Sequence, residues 1–306
     1  MVDARKDVVW PELLYAAWRD TCATLQLWTQ VVGKIRLTLA PRLNHTWHVT
    51  LYPTCHGLTT SPMPYGNRML QIDFDFLDHV LVMHLNDGSQ ETIPLKPMSV
   101  AAFYREVMRR LEALGVQVHI WPVPHEVANP IPFEEDETHA SYDAEYAQRF
   151  WQTLLQADRV FTKFRSHFIG KASPVHYFWG AMDMAVTRFS GRPAPPHPSV
   201  PGLADRVVRD AYSHEVSSAG FWPGGESFPE PMFYSYVYPE PQGFANAVAR
   251  PDAAYYRREM GEFVLPYEAV RTAENPDETL MAFLQSTYEA AANLGKWDRE
   301  ALEAKW

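Results

Sequence analysis

The sequence predicts an α+β fold in which antiparallel sheets carry helices on one face. Three observations point there. Two long segments, around 11–40 and 143–170, space their apolar residues three or four apart, as amphipathic helices do. Runs of alternating apolar and polar residues then follow one another through short turns, which suits antiparallel pairing. The elements also recur twice in one order, which predicts an internal duplication of an α-β-β-β-β-α unit.

Helix one follows from Leu14, Trp18, Cys22, Leu25, Trp28, Val32 and Ile35, with Pro11 suited to its first position. It ends at Gly33 or continues towards Ala40, since IRLTLA fits either period. In TWHVTLYPT, Trp47, Val49 and Leu51 alternate with His48, Thr50 and Tyr52, the pattern of a half-buried strand. MLQIDFDFLDHVLVMHLNDGSQETIPL reads as two or three antiparallel strands, with Asn86-Asp87-Gly88 as the last turn. Ser99 caps a helix with the stripe Val100, Phe103, Val107, Leu111 and Leu114, closed by Gly115. VQVHIWPV reads as a returning strand.

Residues 124–142 are rich in proline and acid and read as a linker between a first repeat, 1–123, and a second, 143–306, packed as one compact unit. The second repeat opens on a helix with Ala147, Phe150, Leu154, Phe161, Phe164 and Phe168 on one face, ended by Gly170. SPVHYFWGAMDMAVTRFSG reads as a hairpin, followed by the loop RPAPPHPSVPG and the strands AYSHEVSSAGF and PMFYSYVYP. A short helix near Ala253–Met260 and a strand at EFVL come next. The closing helix is signposted by Asn275, Pro276, Glu278 and Gly295. "VVGK" and "FIGK" end the two long helices, and each precedes a His-bearing aromatic strand, which is what suggests the duplication.

Composition bounds the function. Of 306 residues, 46% are hydrophobic and 21% charged, so a substantial core can form. Aromatics make up 13%, which leaves much ring surface to bury or present. A net charge of −10 without a run of Lys and Arg argues against nucleic acid and against an anionic membrane surface. MVDARKDVVWPELL lacks the apolar core of a signal peptide, and no stretch approaches the ~18 apolar residues of a membrane span. Cys22 and Cys55 lie in apolar-patterned segments and read as reduced, buried thiols. A cytoplasmic protein is the expectation.

Several strings, among them LWTQVVGKIRL, NHTWHVTLY, SPVHYFWGAMDMAVTRFSGR and AYSHEVSSAGFWPGG, together resemble a family of uncharacterised bacterial proteins of about this length, domain-of-unknown-function family 5996. The resemblance covers nearly the whole chain. It implies no activity and assigns no catalytic residue.

The chemistry therefore rests on the residues. His214-Glu215 lacks the second histidine of a helical zinc motif, and no nucleophile elbow, Walker loop or dinucleotide fingerprint occurs. His48, His176 and His214 each sit beside aromatics, the first two at matching places in the repeats, and two readings stay open for them: a converging set, or three separately bonded histidines. Tyr234, Tyr236 and Tyr238 share one strand face and form a wall that is apolar in body and polar at its tips, suited to a small polar or planar ligand. Asp183 and Arg188 stand five apart in a hairpin, able to pair across it or to orient an anionic group. Trp222 forms an aromatic lip before a Gly-Gly turn. Two readings stay open: a small-molecule site between the repeats, with His176, His214 and Glu215 as acid and base in a hydrolysis or isomerisation, or a non-enzymatic module that uses exposed aromatics. Spacing assigns no metal and no cofactor.

Overall fold

The computed structural model describes residues 9–200 and 202–305, so residues 1–8 of the stretch read for a signal peptide and Pro201 of the proline-rich loop lie outside them. The fold is α+β. Helix α1, Tyr15–Leu39, begins after Leu14 and runs straight through Gly33. Pro11 therefore precedes the helix instead of opening it. Gly33 is required where it stands: a Cβ there would lie 2.3 Å from the Trp179 indole.

A first antiparallel sheet follows. Strands β1 (Tyr52–Pro53), β2 (Gly57–Thr59), β4 (Arg68–Asp75), β5 (Val80–Leu85) and β6 (Gln90–Pro94) lie in that order, and β3 (Met63–Tyr65) pairs with β4. Leu70, Ile72 and Phe74 alternate inward along β4, and Gly88 takes the left-handed turn at φ 89°. Helix α2, Val100–Ala113, covers this core; the Ser99 side chain accepts from the Ala102 N–H as its cap. Trp28 of α1 stacks on Phe103 of α2 at 4.6 Å.

Helix α3, Ala144–Ser166, leads into the second sheet. Its strands are β7 (His176–Phe178), β8 (Asp183–Pro193), β9 (His214–Trp222), β10 (Met232–Tyr238), β11 (Tyr255–Arg257) and β12 (Glu262–Pro266), with α4, Asp205–Ala211, between β8 and β9. Their order across the sheet is β11-β12-β10-β9-β8-β7, all neighbours antiparallel. Helices α5 (Tyr267–Arg271), α6 (Pro276–Leu294) and α7 (Arg299–Leu302) close the chain. Both α3 and α6 pack on one face of this sheet, where Phe221, Phe233 and Phe161 meet ring edge to ring. The two sheets touch through main chain: Leu51 and Tyr177 exchange both hydrogen bonds, at 2.9 and 2.8 Å. Among the described residues no helix is long and apolar enough to cross a membrane.

Three expected elements are different. Asn44–Val49 of the predicted strand is a 3₁₀ turn with His45 and Thr46 left-handed, because Asp210 of α4 binds it: its carboxylate accepts from the Thr46 N–H and hydroxyl, and its carbonyl from His45 Nδ1. VQVHIWPV forms no strand; Lys34 Nζ donates to the carbonyls of Trp121 (3.0 Å) and Val123 (2.5 Å), groups a strand partner would otherwise claim. Ala253–Met260 holds β11 and a turn instead of a helix, because left-handed Gly261 reverses the chain into β12 and Tyr256 packs on Phe263.

Candidate functional site

Helices cover one face of the second sheet. The other face lines a cavity of about 530 Å³. Strand period two decides which side chains reach it: Asp183, Ala185 and Thr187 from β8, Val216, Ser218 and Trp222 from β9, and Met232, Tyr234 and Tyr236 from β10. The register places Thr187, Ser218 and Tyr236 abreast, and His176, Ala185, Gly220 and Tyr234 abreast in the next row. Gly220 matters here. A Cβ on it would sit 2.3 Å from the Tyr234 hydroxyl, so the bare backbone lets that ring cross β9 and donate to Asp183 on the strand beyond. Thr187 and Ser218 hydroxyls meet at 2.9 Å, and those of Tyr212 and Tyr236 at 3.1 Å.

The rim comes from elsewhere in the chain. The Asn44–Val49 turn supplies His45 and Trp47, the segment held by Lys34 supplies His125 and Glu126, and β12 supplies Glu262. Trp179, whose indole N–H donates to the Val49 carbonyl at 2.7 Å, fixes the turn to β7. Such a volume, apolar walls and few convergent polar groups are those of a small-molecule site.

Three carboxyls share this space. Burial lifts Asp183 to about 6 although the Tyr234 hydrogen bond pulls it down. Burial first, and repulsion from Asp183 second, raise Glu262 to about 8 and Glu126 to about 7. Asp183 and Glu262 are half-buried, whereas Glu126 is an exposed residue at the rim whose carboxyl packs against Gly180. Burial lowers His176 to about 3, so its imidazole is neutral. The Tyr234 hydroxyl is raised by burial and then by Asp183. Among the described residues no three His, Cys, Asp or Glu side chains lie close enough to hold a metal ion.

Residues 10–304 match the model of DUF5996, a family of unknown function. The chain belongs to that family. No curated protein and no solved structure matches it.

In this DUF5996 chain the residues singled out from sequence divide in two. His176, Asp183, Trp222, Tyr234 and Tyr236 line the cavity. The others lie off its wall. His48 is buried outside it, its Nδ1 3.4 Å from the Leu43 N–H, and His214 meets the Ser213 hydroxyl at 3.1 Å. Glu215, on the opposite face of β9, is held by the Arg192 guanidinium and the Ser190 hydroxyl at 2.7 Å. Tyr238 donates to the carbonyls of Pro195 and Pro196, under the proline-rich loop. Asp183 and Arg188 share one strand, an odd number of residues apart, so they face opposite ways and form no pair. Arg188 instead donates to the Phe164 carbonyl and lies 3.4 Å over the Phe164 ring. Glu126, Glu262 and Gly220 were not singled out. Glu262 had a signal, since an acid heads an apolar strand in phase with Val264; Glu126 is one acid in an acidic loop and had none.

Proposed function

We propose that this protein binds a small polar or planar ligand in the cavity of the second sheet. One observation carries the reading: Asp183, Tyr234, Tyr236, His176 and Glu262 converge there on a space of about 530 Å³ walled by aromatic rings. The floor belongs to the second half of the chain and much of the rim to residues 45–49 and 125–126, which supports a site formed where two similar halves meet. An aromatic docking face is less well supported, because Tyr234 and Tyr236 point inward and Tyr238 is bonded to the proline loop. Turnover would fall to Asp183 with Tyr234 as acid and base, since the Glu215 carboxylate is already neutralised by Arg192.

The test is a panel of cationic, neutral and anionic aromatic fragments, screened by ligand-observed NMR and melting shifts. Wild type is compared with Thr187→Trp, which places a large ring in the cavity. Hits that disappear in the variant support the reading. A panel silent against wild type, or equally active against both proteins, would end it.

A further inference from the structure

We propose that the ligand of this cavity is an organic cation bearing N–H donors, an ammonium, amidinium or guanidinium on an apolar or aromatic body. The inference rests on the binding reading above and comes from counting donors and acceptors on the wall. The donors are largely committed. The Tyr234 hydroxyl donates to Asp183, the Trp179 indole to Val49 and the Trp222 indole to the Ala181 carbonyl at 3.1 Å. The hydroxyl pairs Tyr212–Tyr236 and Thr187–Ser218 each commit one of their two protons to the bond between them.

The acceptors are free. Among the described residues no protein group donates to the Glu126 or Glu262 carboxyl. His176 supplies an independent sign of the same kind. It is 1% exposed, lines the cavity, and has only its Nδ1 bonded, 3.2 Å from the Thr50 hydroxyl. That hydroxyl spends its own proton on the Trp47 carbonyl at 3.2 Å. With the Thr50 proton on Trp47, its oxygen accepts from His176 Nδ1–H and Nε2 faces the cavity as an acceptor; the other tautomer offers an N–H there instead.

Charge and ring faces agree. Against three carboxyls, the one Lys or Arg side chain on the wall among the described residues is Arg206, on the exposed face of α4. Trp179, Trp222 and Phe178 present aromatic surface to the same space, and ring faces attract cations, whereas the Trp47 ring already carries the Lys171 ammonium at 5.6 Å. Once the pH is high enough for the carboxyls to release their protons, a neutral sugar would leave the acceptor excess unmet and an anion would meet repulsion. A bare metal ion finds too few ligands close together.

Calorimetric titration of the full chain with 2-phenylethylamine, 2-phenylethanol and phenylacetate, at mildly alkaline pH, tests this. The amine should bind about tenfold or more tighter than the alcohol, with phenylacetate weakest. Glu262→Gln and Asp183→Asn, each checked for native circular dichroism, should each reduce the ratio of amine to alcohol affinity. An alcohol that binds as well as the amine, or a preference for phenylacetate, overturns the cation while the cavity reading survives. If none of the three binds, the fragment panel decides. Cationic hits sensitive to Glu262→Gln support the inference, hits of any other pattern refute it alone, and an empty panel removes both readings.

Discussion

Replacing Glu262 with Gln keeps the shape of the side chain and abolishes its titration. In the folded protein this carboxyl ionises at about 8, lifted first by burial and then by Asp183, against 4.5 for the group in the open. Between those values the unfolded chain has released the proton and the folded protein still holds it. The native state binds more protons there, so the contribution of Glu262 is intact below about 4.5 and is lost as the pH rises towards about 8. At ~1.4 kcal/mol per pH unit the whole window sets a ceiling of about 5 kcal/mol. Water in the cavity screens the charge, and roughly half of the ceiling, about 2–3 kcal/mol, is expected. Urea unfolding of both proteins at about pH 5 and about pH 8 reads it directly. The two should agree within about 0.5 kcal/mol at the lower pH, with Glu262→Gln ahead by about 2–3 kcal/mol at the upper. Asp183 titrates in both proteins, but its repulsion with Glu262 exists only in wild type, so that pair contribution is part of the difference. A gap of equal size at both pH values would refute the argument.

Gly220→Ala forces a methyl to within 2.3 Å of the Tyr234 hydroxyl and 2.4 Å of the Met184 carbonyl oxygen. Thermal or urea denaturation should show a loss of about 1–3 kcal/mol, with fragment binding impaired as the Tyr234–Asp183 contact breaks. Arg188 is buried against Phe164 and Tyr288, and its Nε has no partner. Denaturation should find Arg188→Ala destabilised by about 3 kcal/mol, while Arg188→Met, which refills the space without the charge, stays within about 1 kcal/mol of wild type. Cys55 is exposed, contrary to the burial its segment's pattern predicts, and should react in a thiol-labelling assay on the native protein. Cys22 is buried and its thiol is pushed up by that burial, so it should react only after denaturation.

Local chemistry was legible in the sequence wherever neighbours in the chain decide the outcome. Ser99 caps α2, Asn275 caps α6 and accepts from the Glu278 N–H, and Gly88 turns the β5–β6 hairpin, as their positions foretell. The α+β class followed from such signals. Distant partners were not legible. Trp47 and Val49 alternate as strand residues do, yet Asp210 of α4 bends that segment into a turn. The alternation in VQVHIWPV is equally good, but Lys34 takes its carbonyls. Within the candidate site, the period-two pattern of β10 put Tyr234 and Tyr236 on one face without difficulty. It could not reveal that Glu126 and Glu262 approach Asp183, because that proximity exists only once the sheet and the rim have assembled.

The exchange of hydrogen bonds between Leu51 and Tyr177, both fully shielded from solvent, limits how the cavity can open. Parting the two sheets like the shells of a clam would rupture a main-chain joint with no water at hand to replace it. Entry and exit must then use a smaller door. The stretch from the proline-rich loop through α4, anchored by Tyr238 at Pro195 and Pro196 and by Asp210 at Thr46, has a few separable latches and lies directly over the mouth.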